Sequence, residues 1–140
     1  MYVLNVHQSG FRPGHSTETS LVDMVDDWLD NINSGKMTGV AFIDLRKAFD
    51  TVNHGMLIKK IRDIGASNVS VKWFESYLSE RTQNVCFKGT ISESLPLSTG
   101  VPQGSILGPL LFLIFIKDMA NVVTHGKITM YADDVTLYTS

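Results

Sequence analysis

Lys127-Ile128-Thr129-Met130-Tyr131-Ala132-Asp133-Asp134-Val135-Thr136-Leu137-Tyr138-Thr139-Ser140 is the stretch on which the fold turns. It reads as strand, tight turn and strand, with the turn at Ala132-Asp133-Asp134. Ahead of it, Ser105 to about Val123 reads as a buried helix, with Pro109 suited to its first turn. The longest apolar stretch, Ile106 to Ile116, lies inside that helix. Gly108 and Pro109 interrupt it, and it falls well short of the ~18 residues needed to cross a bilayer. Further back, Gln83 to Lys88 alternates polar with apolar residues and Leu95 to Thr99 does so less cleanly, so two strands are expected before a turn at Gly100.

Three amphipathic helices and one more strand complete the pattern. From Ser16, Leu21, Val25, Trp28, Leu29 and Ile32 recur at helical spacing until Ser34-Gly35 closes the run. After His54, Leu57, Ile58, Ile61 and Ile64 face away from Lys59, Lys60 and Arg62, and Gly65 ends the helix. About Ser70 to Ser79 carries Trp73, Phe74, Tyr77 and Leu78, aromatics expected to serve the core. Val40-Ala41-Phe42-Ile43 is wholly apolar and ends in Asp44, as expected of a central strand covered on both faces. The order predicts an α+β sandwich, with helices packed on a largely antiparallel sheet.

Composition narrows the function. A chain of 140 residues, 44% hydrophobic and 19% charged, can bury a core as one domain. A net charge of −2 lacks the basic excess of a protein that grips nucleic acid over a broad surface, so any such grip is local or lies elsewhere. Cys86 is the lone cysteine, which rules out an internal disulfide and a thiolate-rich metal site; it is expected in a buried or half-buried strand. Met1-Tyr2-Val3-Leu4-Asn5 does not read as a secretory signal, and no membrane span is expected, so an intracellular setting, cytoplasmic or nuclear, is. Asn68-Val69-Ser70 then matches a glycosylation acceptor by chance.

The chemistry rests on acids. Asp44 at a strand end and Asp133-Asp134 at a hairpin turn form an arrangement able to hold two divalent cations. Two metals roughly 4 Å apart stabilise the attacking and leaving oxygens of an in-line displacement, and hard oxygen ligands suit Mg²⁺ or Mn²⁺. Without cations, the carboxylates would repel by up to about 4 kcal/mol per close pair at an effective dielectric near 20. An Asp-Asp pair alone is more often a solvated turn. Gly100-Val101-Pro102-Gln103-Gly104-Ser105 places two glycines around a polar amide before a helix, without the Lys of a phosphate-binding loop. Gly10-Phe11-Arg12-Pro13-Gly14 offers a guanidinium suited to phosphate, although a lone Arg is usually a surface residue. His7, His15, His54 and His125 lack partners at ligand spacing, His54 marking a helix entry, and Asp50 reads as structural.

Together, Gly10 to Thr17, Phe42 to His54, Gly100 to Pro109 and Tyr131-Ala132-Asp133-Asp134 resemble successive blocks of reverse transcriptases, above all those of non-long-terminal-repeat, LINE-like retrotransposons. The resemblance runs from about Gln8 to the end. It implies a right-hand polymerase palm, with a fingers-side segment over residues 1–37 and a palm core with inserted helices over 38–140. It implies RNA-templated DNA synthesis from deoxynucleoside triphosphates, with RNA template and DNA primer as partners and two Mg²⁺ or Mn²⁺ ions.

By the same likeness Asp44 and Asp133 are metal ligands and Asp134 is the third catalytic carboxylate. The Leu45 carbonyl completes the coordination of the nucleotide-bound metal, while the amides around Lys47 and Ala48 hold the triphosphate. Phe49 is a steric gate against the 2′-hydroxyl, with a core aromatic as the plainer alternative. Gln103 contacts the incoming nucleotide and Arg12 its phosphates. Phe115-Ile116-Lys117-Asp118 departs from the family's Tyr-Ile-Asn-Asp. With incomplete fingers and no thumb expected, the isolated chain is expected to be inactive. Two other classes stay open: a metal-dependent nuclease using the same acids, and a catalytically silent retrotransposon-derived remnant or binding protein.

Overall fold

The computed structural model describes residues 3–140. In chain order its elements are α1 (Thr17–Asn33), β1 (Gly39–Asp44), α2 (His54–Asp63), α3 (Asn68–Leu78), β2 (Thr82–Gln83), β3 (Cys86–Phe87), β4 (Thr90–Ile91), β5 (Leu95–Pro96), α4 (Leu107–Ile116), a 3₁₀ turn (Met119–Val122), β6 (Lys127–Tyr131) and β7 (Asp134–Thr139). The architecture is α+β with antiparallel sheets. The chain packs as two units: residues up to Ala48 with Ile116–Ser140, and Phe49–Phe115. No helix among the described residues is long and apolar enough to cross a membrane.

The first unit is built on an antiparallel sheet in the order β1-β7-β6. Register pairs Asp44 with Asp134, Phe42 with Thr136 and Val40 with Tyr138 across β1 and β7. It pairs Tyr131 with Asp134, Thr129 with Thr136 and Lys127 with Tyr138 across β7 and β6. Because successive side chains alternate between faces, these residues share one face, and Ile128, Met130, Val135 and Leu137 share the other. The second face is the core: Ile128, Met130 and Val135 are buried and pack with Met119, Ala120 and Val123 of the 3₁₀ turn and its flank.

The other face receives α1. Its N-terminus is fixed by a reciprocal cap, in which Ser16 Oγ accepts from the Thr19 amide (3.2 Å) and Thr19 Oγ1 accepts from the Ser16 amide (3.0 Å); such caps contribute about 1 kcal/mol. Trp28 meets Tyr138 edge-on at 5.9 Å. Asp27 accepts from Lys127 Nζ (2.5 Å) and the Tyr138 hydroxyl (2.7 Å), tying helix to sheet. Hydrogen bonds from Lys127 and then Tyr138 hold the Asp27 carboxyl below its ordinary value. Burial, followed by the bond to Asp27, pushes the Tyr138 hydroxyl up to about 12.

β1 is an edge strand, not a central one, and its apolar run is uncovered, with Phe42 at 76% exposure. β7, whose Val135 and Leu137 alternate with Thr136 and Tyr138, takes the centre. On α1, Leu21, Leu29 and Ile32 are exposed. The expected long helix ends at Ile116 and gives way to the 3₁₀ turn after Lys117-Asp118.

In the second unit, α2 and α3 pack together, and Leu57, Ile58 and Ile61 of α2 and Val71 and Leu78 of α3 are buried. Asn53 caps α2 by accepting from the Met56 amide at 2.9 Å. An exposed ion pair, Arg62 to Glu75 at 2.6 Å, links α2 and α3 and contributes at most about 1 kcal/mol. α4 is apolar all round and buries Leu111, Phe112, Leu113 and Ile114. The alternating segment forms only two-residue pairings, β2 with β5 and β3 with β4, all exposed. Cys86 is therefore exposed, against expectation. Trp73, expected in the core, is half in solvent and stacks on Tyr77 at 5.4 Å.

Candidate active site

Sheet register brings two of the acids together. β1 ends at Asp44 and β7 begins at Asp134, and the two are direct cross-strand partners on the face that receives α1. Cross-strand neighbours place their Cβ atoms about 4.5–5.5 Å apart, where like charges destabilise the sheet. Both carboxylates are exposed, and Asp133 stands one residue away in the two-residue turn Ala132-Asp133. Paired hard oxygens with unbalanced negative charge suit a divalent cation. Among the described residues no three His, Cys, Asp or Glu side chains stand at metal-ligand spacing, so Asp133 is adjacent to the pair without closing on one point with it.

After Asp44 the chain turns. Leu45 O accepts from the Ala48 amide at 3.1 Å, so the carbonyl expected at a metal and an amide expected at a triphosphate are bonded to each other. The carbonyl keeps a second lone pair. Lys47, the third residue of this turn, has φ +52°, a left-handed conformation that costs a non-glycine residue about 1 kcal/mol or more.

Sequence reasoning missed what holds the acidic hairpin. Residues 7–9 run parallel to β6: the Met130 amide donates to His7 O (2.8 Å) and the Ser9 amide to Met130 O (2.9 Å). This places Gln8, only 2% exposed, beside the hairpin turn. Its Oε1 accepts from the amides of Ala132 and Gly10, both at 2.8 Å, and its Nε2 donates to Ala132 O at 3.1 Å. Gly10 lies so close that an added Cβ would stand 2.2 Å from the Ala132 nitrogen. Arg12, expected at phosphates, is half-buried and donates through Nη1 to Gln8 O (2.8 Å) and Asn5 O (3.0 Å). Asn5 Nδ2 in turn reaches Lys117 O at 2.8 Å. The only sequence signal for Gln8 was its place at the head of the Gly10–Arg12 block.

The second unit carries the remaining candidates. Residues 49–53 and 99–101 run antiparallel, with the Gly100 amide donating to Val52 O (2.8 Å) and the Val101 amide to Phe49 O (2.9 Å). Gly100 has φ +88°, and an added Cβ would meet the Asp50 backbone at 3.0 Å. Gln103 Nε2 donates to Asp50 Oδ1 at 2.9 Å, and Asp50 O accepts from Thr99 Oγ1 at 3.0 Å. Asp50 thus accepts through both its side chain and its backbone. His54 serves structure, its Nε2 lying 2.8 Å from Gly100 O at the start of α2. Phe49 is half-buried and stacks on Phe112 with centroids 4.5 Å apart.

Two acids at the turn of an antiparallel hairpin thus stand beside a third at a neighbouring strand end. The model of the family "Reverse transcriptase (RNA-dependent DNA polymerase)" matches residues 2–140, and the chain belongs to that family. It is similar to the "Probable RNA-directed DNA polymerase from transposon X-element" of Drosophila melanogaster, 38% identical over 92% of this chain and 14% of that protein. It is also similar to the "RNA-directed DNA polymerase from mobile element jockey" of the same fly, 34% identical over 94% of this chain and 15% of that protein. A "Retrovirus-related Pol polyprotein from type-1 retrotransposable element R2" of Popillia japonica is 31% identical over 61% of this chain and 14% of its own length. The chain therefore spans about a seventh of these curated relatives.

Proposed function

We propose that this chain supplies the nucleotidyl-transfer centre of a retrotransposon RNA-directed DNA polymerase, extending a DNA primer on an RNA template with deoxynucleoside triphosphates. The observation that carries this is the register that sets Asp44 opposite Asp134, beside Asp133, in a chain the family matches nearly end to end. Bound there, two Mg²⁺ or Mn²⁺ ions would stabilise charge on the oxygens around the reacting phosphorus. Asp44 and Asp133 act as ligands and Asp134 as the third carboxylate; Leu45 O adds a neutral oxygen donor. The turn at Lys47-Ala48 presents backbone amides to the triphosphate, that of Ala48 exchanging its bond to Leu45 O for a phosphate oxygen. Arg12 pins the arm through Nη1, and its other guanidinium donors serve the phosphates. Gln103 exchanges its exposed bond to Asp50 for the nucleotide. Phe49 closes the space at the sugar's 2′ position, its ring held by Phe112.

We expect the isolated chain to be inactive. An intracellular site of action follows from the substrates. The test places this chain in the matching segment of the jockey polymerase and follows primer extension on a homopolymer RNA template with Mg²⁺ or Mn²⁺. We expect extension that falls by about 10³-fold or more in Asp44→Asn and Asp133→Asn, the scale at which loss of transition-state charge stabilisation is felt. A folded chimera that extends equally well without those acids removes the reading. Cleavage of nucleic acid with no need for deoxynucleoside triphosphates would favour a nuclease, and a folded, inert chimera a remnant.

A further inference from the structure

We infer that Gln8 is a positioning residue for the acidic hairpin: it clamps both polar groups of the Ala132 peptide backbone and thereby sets where Asp133 and Asp134 stand. This rests on the polymerase reading above and adds a residue from the N-terminal arm to that site. Three observations carry it.

First, the clamp is complete. One buried amide side chain accepts from the Ala132 N–H and donates to the Ala132 C=O, while its oxygen also takes the Gly10 N–H. A carboxamide alone among side chains of this size offers donor and acceptor together in that geometry. Second, the clamped residue is strained. Ala132 has φ +54°, and such a conformation in a non-glycine residue persists only where its surroundings over-determine it. The residue that follows is Asp133, so the orientation of the Ala132–Asp133 peptide plane fixes the starting point of the Asp133 side chain. Third, the clamp is itself anchored. Main-chain bonds on either side join residues 7 and 9 to Met130, and Arg12 Nη1 holds Gln8 O. Gly10 leaves no room for the turn to move toward the arm, since even a Cβ there would collide with Ala132.

A residue serving stability alone would leave cation affinity unchanged so long as the protein stayed folded; a positioning residue would not. The test uses the chain itself with Mn²⁺ as the probe, following paramagnetic broadening of the Asp44, Asp133 and Asp134 amides by NMR. In the unmodified chain we expect the Ala132 amide to exchange with solvent as slowly as that of buried Met130, although it sits at a hairpin turn. Gln8→Met keeps the shape and removes all three bonds; Gln8→Glu keeps the acceptor and sets a carboxylate against Ala132 O. Under conditions where the cross-strand contacts of Lys127 with Tyr138 are intact, each should weaken Mn²⁺ binding by about 10-fold or more, the usual cost of losing a group that orients metal ligands.

Unchanged Mn²⁺ affinity in a folded Gln8→Met chain overturns the inference, and so does Ala132 exchange at open-loop rates, a measurement that needs no variant to fold. Either result leaves the polymerase reading standing. If instead the unmodified chain binds Mn²⁺ no better than Asp44→Asn and Asp133→Asn chains, the polymerase reading fails and the proposed role goes with it, even with Ala132 protected.

Discussion

Two glutamines stand at the two candidate loops, and their surroundings are opposite. Gln8 is 2% exposed and makes three hydrogen bonds to backbone, whereas Gln103 is exposed and makes a bond to one carboxylate oxygen of Asp50. Water can replace the partner of an exposed amide at little cost, but a buried donor or acceptor left alone costs about 1–3 kcal/mol. The first glutamine is therefore suited to fixing a geometry and the second to giving up its partner for a ligand. Residue type alone would not separate them; burial does.

The largest effects should come from the buried clamp. Gly10→Ala forces a methyl to within 2.2 Å of the Ala132 nitrogen, and backbone cannot yield as a side-chain tip would. We expect a loss of about 3 kcal/mol or more by urea denaturation, at the upper end for overpacking. Gln8→Met should cost about 2–3 kcal/mol, since the orphaned groups of Ala132 and Gly10 regain water only in part. If Gly10→Ala were neutral, the arm would not be seated against the turn, and the contrast between the two glutamines would vanish.

Asp27 is an intermediate case that sharpens the comparison. Its side chain is 31% exposed and accepts from Lys127 and Tyr138. Its folded-state pKa lies below the ordinary 3.8, so the contribution is complete above that pH and is lost as pH falls through the folded value. Tyr138 shifts the other way, to about 12, so its part is complete below pH 10 and is lost as pH rises toward 12. The stability gap between the unmodified chain and Asp27→Asn should be constant near neutrality and close in acid. A gap that stays constant down to about pH 2 would mean that this bond carries no charge-dependent stabilisation.

These gradations explain what the sequence disclosed. Ser16, the apolar spacing after it and Ser34-Gly35 located α1 nearly to the residue, because caps and periodicity act locally. The pairing of Asp44 with Asp134 was approachable, since each ends or begins a strand beside a turn. Gln8 was not, because its partner lies 124 residues away and a single buried polar residue has no period. The wholly apolar run of β1 suggested cover on both faces, yet hydrophobic pattern reports what a strand prefers and not what packs on it. Uniform apolarity likewise hid the end of α4, where Lys117-Asp118 break the run.

The smallest effect is expected where Asp50 meets Gln103. Both side chains are exposed, and the backbone contacts of this loop do not depend on them: Asp50 O still accepts from Thr99, and the Gly100 and Val101 amides still donate to residues 52 and 49. Asp50→Ala and Gln103→Ala should each change stability by less than about 0.5 kcal/mol, as surface substitutions usually do. In a double-mutant cycle the pair should couple by no more than about 0.5 kcal/mol. Coupling well above that would mean that Gln103 is locked to Asp50 as firmly as Gln8 is to Ala132. A side chain so committed could not turn to an incoming nucleotide, and the role proposed for Gln103 would have to be withdrawn while that of Gln8 stood.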